Sequence, residues 1–237
     1  VKIDNMNVVV TGASRGIGKT VAEYFAAEGA NLFLCSRNME KTTGWQQELM
    51  KKHNIQITSF SADLGIPEQA KQFAAQVLKA TDAIDILVNN IGIYEPGCTY
   101  NEQEGQLEHM LSVNLYASYH ITRALVPSMI KRKAGHIFNF SSTAGLQAYP
   151  NGGSYSISKW AMAGFSMNLR EEMKEFNIKV TTVYPGATLT SSWDGFDIDP
   201  KRVMETSDIA KMIVAATKLS PQACVEEILI RPQLGDL

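Results

Sequence analysis

Cysteine is scarce in this 237-residue chain: Cys35, Cys98 and Cys224 are all it holds, and no paired spacing links them. An odd count without a pattern excludes a disulfide frame and fits reduced thiols in a cytoplasmic protein. Cys35 falls inside an apolar run and reads as core. Charge of one sign is lacking too. The formal net charge is −2 and the basic residues are scattered, which argues against a nucleic-acid surface. No apolar run reaches the length that crosses a membrane, and the first residues lack a signal peptide's hydrophobic stretch, so no membrane partner is expected. The four histidines, His53, His109, His120 and His136, form no ligand cluster, and no metal is expected. Internal repeats and low-complexity segments are absent. What remains is the composition of one substantial domain over residues 1–237.

What is present alternates. Strand-like runs recur at residues 7–10, 31–35, 56–60, 84–88, 136–140, 179–183 and 227–230, and helical patterns fill gaps at 18–28, 40–52, 67–80, 106–131 and 154–176. This order predicts an α/β fold: a single doubly wound parallel sheet of Rossmann type, with helices on both faces. Two stretches lack either pattern, 142–153 with Gly145, Pro150, Gly152 and Gly153, and 189–201 with Trp193, Gly195 and Phe196. Ligands of such sheets bind beyond the carboxyl ends of the strands, where both stretches are expected, the second as a cover over the substrate.

Two motifs carry chemistry. Tyr155 and Lys159 stand four residues apart in a helical segment, which puts a phenol and an ammonium on one face. The lysine charge is expected to lower the phenol's pKa, and a tuned phenol can give a proton to a carbonyl or take one from an alcohol. The other motif is Thr11-Gly12-Ala13-Ser14-Arg15-Gly16-Ile17-Gly18, which follows a β-branched run and opens a helix. Strand, glycine turn and helix aim free backbone N–H groups and a positive helix end at phosphate. Gly12 permits the turn, Gly16 the close approach of a ligand, and Gly18 the packing of helix on sheet. Residues 13–20 also fall one residue short of a nucleoside-triphosphate loop. Alanine at 13 breaks that pattern. The strand that would supply a magnesium-holding aspartate ends instead in Asn89-Asn90, with Asp85 near its start.

With both motifs in view, the chain resembles the short-chain dehydrogenase/reductase family over nearly its whole length. Residues 11–18 match that family's T-G-x-x-x-G-x-G turn, and Asn89-Asn90-Ile91-Gly92 is similar to its N-N-A-G stretch, with isoleucine for alanine. Ser142 lies thirteen residues before Tyr155, the family's spacing for its catalytic serine. Asn114 stands where a fourth catalytic residue is expected, and Pro185-Gly186-Ala187-Thr188-Leu189-Thr190 matches the P-G-x-x-x-T segment at the nicotinamide end.

The resemblance implies roles. Tyr155 would be the acid/base, Ser142 would polarise the carbonyl, and Lys159 would hold the nicotinamide ribose. Asn114 would interrupt its helix and hold a water. Ser141 is the rival for the serine role, since adjacent residues of an extended chain face opposite ways. The turn residues Gly12, Ser14, Arg15, Gly16, Ile17 and Gly18 would bind the cofactor, together with Asn90 and Gly92. Pro185, Gly186, Thr188 and Thr190 would cover its carboxamide end, and Asp63 and Leu64 would meet its adenine.

The second strand ends in Ser36-Arg37 with no acid, so Arg37, with Arg15, is expected to grip a 2′-phosphate and select NADP(H). Asp63 as a plain turn former is the alternative. Ile93, Tyr94, Leu146, Gln147, Tyr149 and Trp193 are expected to line a partly aromatic substrate pocket. The family's acyl-carrier-protein reductases usually finish in a glycine pair near the C-terminus, which the stretch 227–233 lacks. A carbonyl or ketone reductase therefore ranks ahead of a 3-oxoacyl-(acyl-carrier-protein) reductase, and a non-catalytic NADP(H) sensor is the reading from another class. The family also pairs its two long helices into dimers or tetramers, and Met110, Leu111, Met162 and Phe165 supply apolar surface for that.

Overall fold

The computed structural model describes residues 1–191, 195 and 197–236. Seven strands form one sheet in the order β3-β2-β1-β4-β5-β6-β7, and every pairing is parallel. The strands are β1 Asn7–Thr11, β2 Asn31–Ser36, β3 Ile57–Ser61, β4 Ile86–Asn89, β5 Gly135–Phe140, β6 Ile178–Pro185 and β7 Glu227–Ile230. The helices between them are α1 Gly16–Ala27, α2 Thr43–His53, α3 Pro67–Ala80, α4 Gln106–Leu111, α5 Ala117–Arg132, α6 Gly153–Met173 and α7 Thr206–Lys218.

Both sheet faces are covered because the strands are apolar on both sides. Along β1, Val8 and Val10 pack with Val21, Phe25 and Ile213, whereas Val9 packs on the opposite face with Phe73, Ile121 and Leu169. One layer is thus α1, α2 and α7, and the other α3, α5 and α6. Phe25 and Phe73, one in each layer, are fully buried; each stabilises its layer by about 1.5–3 kcal/mol. The expected doubly wound sheet is what forms.

Two elements depart from the sequence reading. The helix α7 was not expected; it opens on a reciprocal capping box between Glu205 and Asp208 and buries Ile209 and Ile213. The pattern over 106–131 is not one helix. Ser112–Tyr116 is a π-helical turn joining α4 to α5, and Asn114 sits in it, as the resemblance implied.

The chain order reverses between β1 and β4. At that switch point the loops after β1 and β4 diverge and open a crevice at the carboxyl edge of the sheet. Asp85 lies at the other edge, where its carboxylate accepts the Asn7 amide at 2.8 Å and pairs with Arg132. That position removes it from the glycine turn and disposes of the triphosphatase reading.

Candidate active site

The glycine turn leaves β1 at Thr11 and enters α1 at Gly16. Gly12 and Gly16 have φ of 67° and 55°, a region that favours glycine. A Cβ at Gly18 would lie 2.3 Å from Asn90 Nδ2 and 2.4 Å from Gly12 O, so only hydrogen fits between helix and turn. Asn90 braces the turn by donating from Nδ2 to Thr11 O at 2.9 Å, and the Asn90 and Ile91 amides both donate to Thr11 Oγ1 at 3.1 Å. At the start of α1 no side chain caps the helix and no acid stands in the first turn. Its first N–H groups and positive end face the crevice. Thr190 closes over the turn: a Cβ on Gly16 would meet Thr190 Cγ2 at 3.3 Å. Thr188 is buried and donates to Gly186 O at 2.9 Å.

The turn is tied to β2 by the Ala13 amide, which donates to Cys35 O at 3.1 Å. Arg15 and Arg37 are exposed, and neither guanidinium enters an ion pair among the described residues. The nearest acid beyond β2 in sequence is Glu40, and the Ser61 hydroxyl donates to it; that bond is the main reason its carboxyl sits below the usual range. Asp63 spends Oδ1 on the Gly65 amide at 3.0 Å, so the turn-forming role is realised. The Leu64 side chain is core.

On the other side of the crevice, α6 carries Tyr155 and Lys159, and the end of β5 carries the two serines. The Ser141 hydroxyl donates to Lys159 O at 2.7 Å and is buried, which removes it as a rival. Ser142 accepts the Ala144 amide at 3.2 Å and donates to Pro185 O at 3.5 Å, and its hydroxyl lies near enough to the Tyr155 phenol to favour the phenolate. Lys159 Nζ donates to Phe140 O at 3.1 Å and lies 5.8 Å from the centre of the Tyr155 ring. Burial pulls the Lys159 ammonium down to about 8.

The Tyr155 phenol departs from expectation. Burial pushes it above its ordinary value, the nearby Ser142 hydroxyl opposes this, and Tyr94 raises it further. In the chain by itself desolvation outweighs the neighbouring lysine, whose ammonium faces the Phe140 carbonyl and the ring rather than the hydroxyl.

Asn114 is fully buried in its π-helical turn and grips Ile93 twice, accepting from its amide at 2.8 Å and donating to its carbonyl at 3.1 Å. A Cβ on Gly92 would lie 3.2 Å from Lys159 Nζ and 3.3 Å from Asn114 Oδ1. These two polar atoms converge on the space that glycine leaves. Tyr94 stacks edge-on to Tyr155, ring centres 4.8 Å apart, and lies near Tyr149, whose phenol is raised by burial and by its two tyrosine neighbours. Ile93, Tyr94 and Tyr149 are therefore brought to the phenol. Leu146 is half-buried in the turn after Ser142. Gln147 is exposed and accepts from Arg231 Nη2 at 3.4 Å, and Trp193 lies outside the described residues, as does part of the stretch 189–201.

A glycine turn on an uncapped helix at the switch point, facing a Ser–Tyr–Lys set across one crevice, is a dinucleotide-site architecture. The family model described as short chain dehydrogenase matches residues 6–199. The chain belongs to the short chain dehydrogenase family. Among curated relatives of this short chain dehydrogenase, dehydrogenase/reductase SDR family member 7B of Mus musculus is 37% identical over 187 residues, 77% of this chain. The chain spans 57% of that relative's length. The alcohol dehydrogenase of the archaeon Thermococcus sibiricus, solved with 5-hydroxy-NADP, superposes with a TM-score of 0.90 at 25% identity, covering 97% of each chain. A metagenomic short-chain oxidoreductase solved in complex with NADP gives a TM-score of 0.86 at 31% identity, over 98% of this chain and 99% of that one.

Proposed function

We propose that this chain is an NADP(H)-dependent oxidoreductase that interconverts a small carbonyl compound and its alcohol, with Tyr155 as the acid/base. The observation that carries the reading is the gathering of Ser142, Tyr155 and Lys159, with Lys159 Nζ on Phe140 O at 3.1 Å and 5.8 Å from the Tyr155 ring, across from the glycine turn. Solved relatives bound to NADP and 5-hydroxy-NADP support the cofactor. The residues fit such a group. Gly12, Gly16 and Gly18, with Ser14 and Ile17, present backbone N–H groups to a pyrophosphate, and Arg15 and Arg37 offer free guanidinium forks to a 2′-phosphate. Glu40, engaged by Ser61, offers little to a ribose hydroxyl. Asp63 retains one carboxylate oxygen for an adenine amine. Pro185, Gly186, Thr188 and Thr190 border the opposite end, with Asn90 and Gly92 beneath.

The cofactor, when bound, supplies or accepts the hydride. The chain's own residues handle the proton and the geometry. Ser142 and Tyr155 direct two hydroxyls at one point, so a carbonyl oxygen there receives two hydrogen bonds and then the phenolic proton. Burial keeps that phenol protonated at neutral pH, the form reduction needs. Lys159 is charged below about pH 8 and is lost as a cation above it. Reduction is therefore expected to hold at neutral pH and fall as pH rises past about 8, while oxidation, which needs the phenolate, gains with pH. Asn114 holds the Ile93 backbone and leaves an oxygen beside Lys159 for a relay water.

The tyrosine-lined pocket favours a neutral ketone or aldehyde over a 3-oxoacyl thioester, since Arg231, the guanidinium beside Gln147, is already paired with Asp236. A cytoplasmic location suits the free cysteines; Cys35 is core, its thiol pushed up to about 12 by burial. No helix among the described residues is long and apolar enough to cross a membrane. Assembly into a dimer or tetramer keeps two of the four residues expected for it, Leu111 and Phe165, which are half-buried. Met110 and Met162 are wholly core, whereas Tyr116, Trp160 and Met167 are exposed at 46%, 51% and 59% on the π-helical turn and α6. An apolar face of this kind suits a two-fold interface.

A panel of ketones and aldehydes run with NADPH and NADH in parallel tests the reading. Turnover with NADPH is expected. Tight NADPH binding with no turnover on any carbonyl would instead favour a sensor.

A further inference from the structure

The loop between β4 and α4, residues 90–105, carries Tyr94 against Tyr155 and is fastened at both ends. Asn114 holds it at Ile93. The second fastening involves a residue with no role so far. Gly152, at the N-cap of α6, has no side chain to cap the helix, and the first turn contains no acid. The cap comes from the loop. Glu102 Oε1 accepts the Ser154 amide at 2.9 Å, and Oε2 accepts the Ser154 hydroxyl. Ser154 is 2% exposed, so both donors are withdrawn from water and depend on this one carboxylate.

Two glycines make room for it. A Cβ on Gly153, whose φ is 40°, would lie 2.0 Å from Glu102 Oε1, and one on Gly97 would lie 2.7 Å from the same atom. A parallel strap runs beside the carboxylate, where the Gly97 amide donates to Asn151 O at 3.1 Å and the Cys98 thiol to Asn151 Oδ1 at 2.9 Å. A negative charge at the start of a 21-residue helix is also favoured by the helix dipole. Ser154 immediately precedes Tyr155, so the clasp bears on the backbone that presents the phenol.

We propose that Glu102 is a positioning residue for the substrate side of the site. It fastens the Tyr94 loop to the first turn of α6 and so fixes where Tyr94 sits relative to the Tyr155 hydroxyl. Glu102 acts through Ser154 and the loop, and touches neither reactant. The inference rests on Tyr155 being the acid/base for carbonyl reduction.

The test compares wild type with Glu102→Ala and Glu102→Gln in the full chain. It measures the NADPH dissociation constant, kcat and KM for the best ketone, and amide hydrogen exchange over residues 94–105 and 152–156. Glu102→Ala removes both charge-assisted hydrogen bonds to Ser154 and is expected to raise the ketone KM roughly tenfold. It should change kcat less than about threefold, leave the NADPH dissociation constant within about twofold, and speed exchange at Gly97 and Ser154. Glu102→Gln retains an oxygen for the Ser154 amide and is expected to restore most of the KM; if Glu102→Ala does not fold, a KM raised about two- to threefold in Glu102→Gln with faster exchange carries the proposal. Faster exchange or lower melting with unchanged KM in both variants overturns it and leaves Glu102 a helix cap alone. A parallel rise in the NADPH dissociation constant overturns it by moving the effect to the cofactor side. Failure of the underlying reading looks different: wild type itself then binds NADPH and reduces no carbonyl, while the exchange comparison still reports whether the clasp exists.

Discussion

On the β3-β2-β1 side of the switch point, the groups that face the crevice are backbone amides, a bare helix end and two exposed arginines. On the β4-β5-β6 side Ser142, Tyr155 and Lys159 stand over buried side chains bonded to one another. Asn89 Nδ2 donates to Thr122 Oγ1 at 2.9 Å and to Asn139 Oδ1 at 2.8 Å. Asn139 passes this on to Ser166 at 3.1 Å, and the Thr182 hydroxyl reaches the same Ser166 oxygen at 2.7 Å. Asn89, Asn139 and Thr182 are register partners on adjacent strands, so the ladder runs straight across the sheet beneath Ser142, Tyr155 and Lys159. One side offers charge open to solvent. The other holds the Lys159 ammonium and the Ser142 hydroxyl on backbone carbonyls, above a ladder of paired side chains in a dry interior where an unpaired polar group is costly.

The contrast predicts different responses to mutation and salt. Tyr155→Phe keeps the ring against Tyr94 and removes only the transferable proton. Turnover is expected to fall by about 10²–10⁴-fold while NADPH binding persists. Steady-state kinetics beside a fluorescence titration separate the two, and near wild-type ketone reduction by this variant would end the acid/base assignment. Arg37→Ala acts on the other side. It is expected to weaken NADPH roughly ten- to a hundredfold, spare NADH, and leave kcat alone. Because the guanidinium is exposed, NADPH affinity is also expected to drop with added salt, and that slope to flatten in the variant. An unchanged NADPH dissociation constant in a folded Arg37→Ala protein would remove the arginine from the site.

Asn139→Ala cuts the ladder at its centre. It strands buried partners on Asn89 and Ser166 and is expected to cost about 1–3 kcal/mol of stability without changing the NADPH dissociation constant. Urea titration measures the first and the same fluorescence assay the second. A large loss of cofactor affinity would erase the division between the two sides.

A separate, pH-dependent effect concerns His136, at the start of β5. It stacks on Phe138, and burial pulls it down to about 3. Thr181 spends its proton on Val225 O, so the imidazole must donate from Nε2 across 2.8 Å and stays neutral. The folded pKa lies below the unfolded one, so between about 6.5 and about 3 the unfolded chain binds the extra proton. Stability is expected to decline as pH falls through that window, by up to about 1.4 kcal/mol per pH unit, and the decline to shrink in His136→Gln.

The same division governs what the sequence makes legible. The glycine turn, its strand and its helix are contiguous, and the reach from β2 to Arg37 is a single step along the chain. Ser142, Tyr155 and Lys159 follow from spacing because a strand end and one helix turn hold them. Burial is what spacing does not carry. The raised Tyr155 phenol and the core positions of Met110 and Met162 both depend on neighbours brought in by other elements. Glu102 has no local signal at all, lying 52 residues from the serine it caps. Only the Gly152-Gly153 pair hints that something must pass close by. Helix α7 was open to reading from Ile209 and Ile213 at helical spacing, with Glu205 and Asp208 three residues apart before them.

One further consequence follows from the seam between β1 and β4. Only three residue pairs join them, Val8 to Ile86, Val9 to Leu87 and Val10 to Val88, while every other strand neighbour is consecutive in the chain. The contacts across this seam, such as Thr11 to Asn90, close a loop of 79 residues. Each doubling of loop length adds about 0.6 kcal/mol of closure entropy, so this junction is the slowest in the sheet to form by its own contacts. The crevice exists only once it has closed. Competence to bind the dinucleotide should therefore appear late in refolding, with the slowest phase, after helices on both sides have already formed.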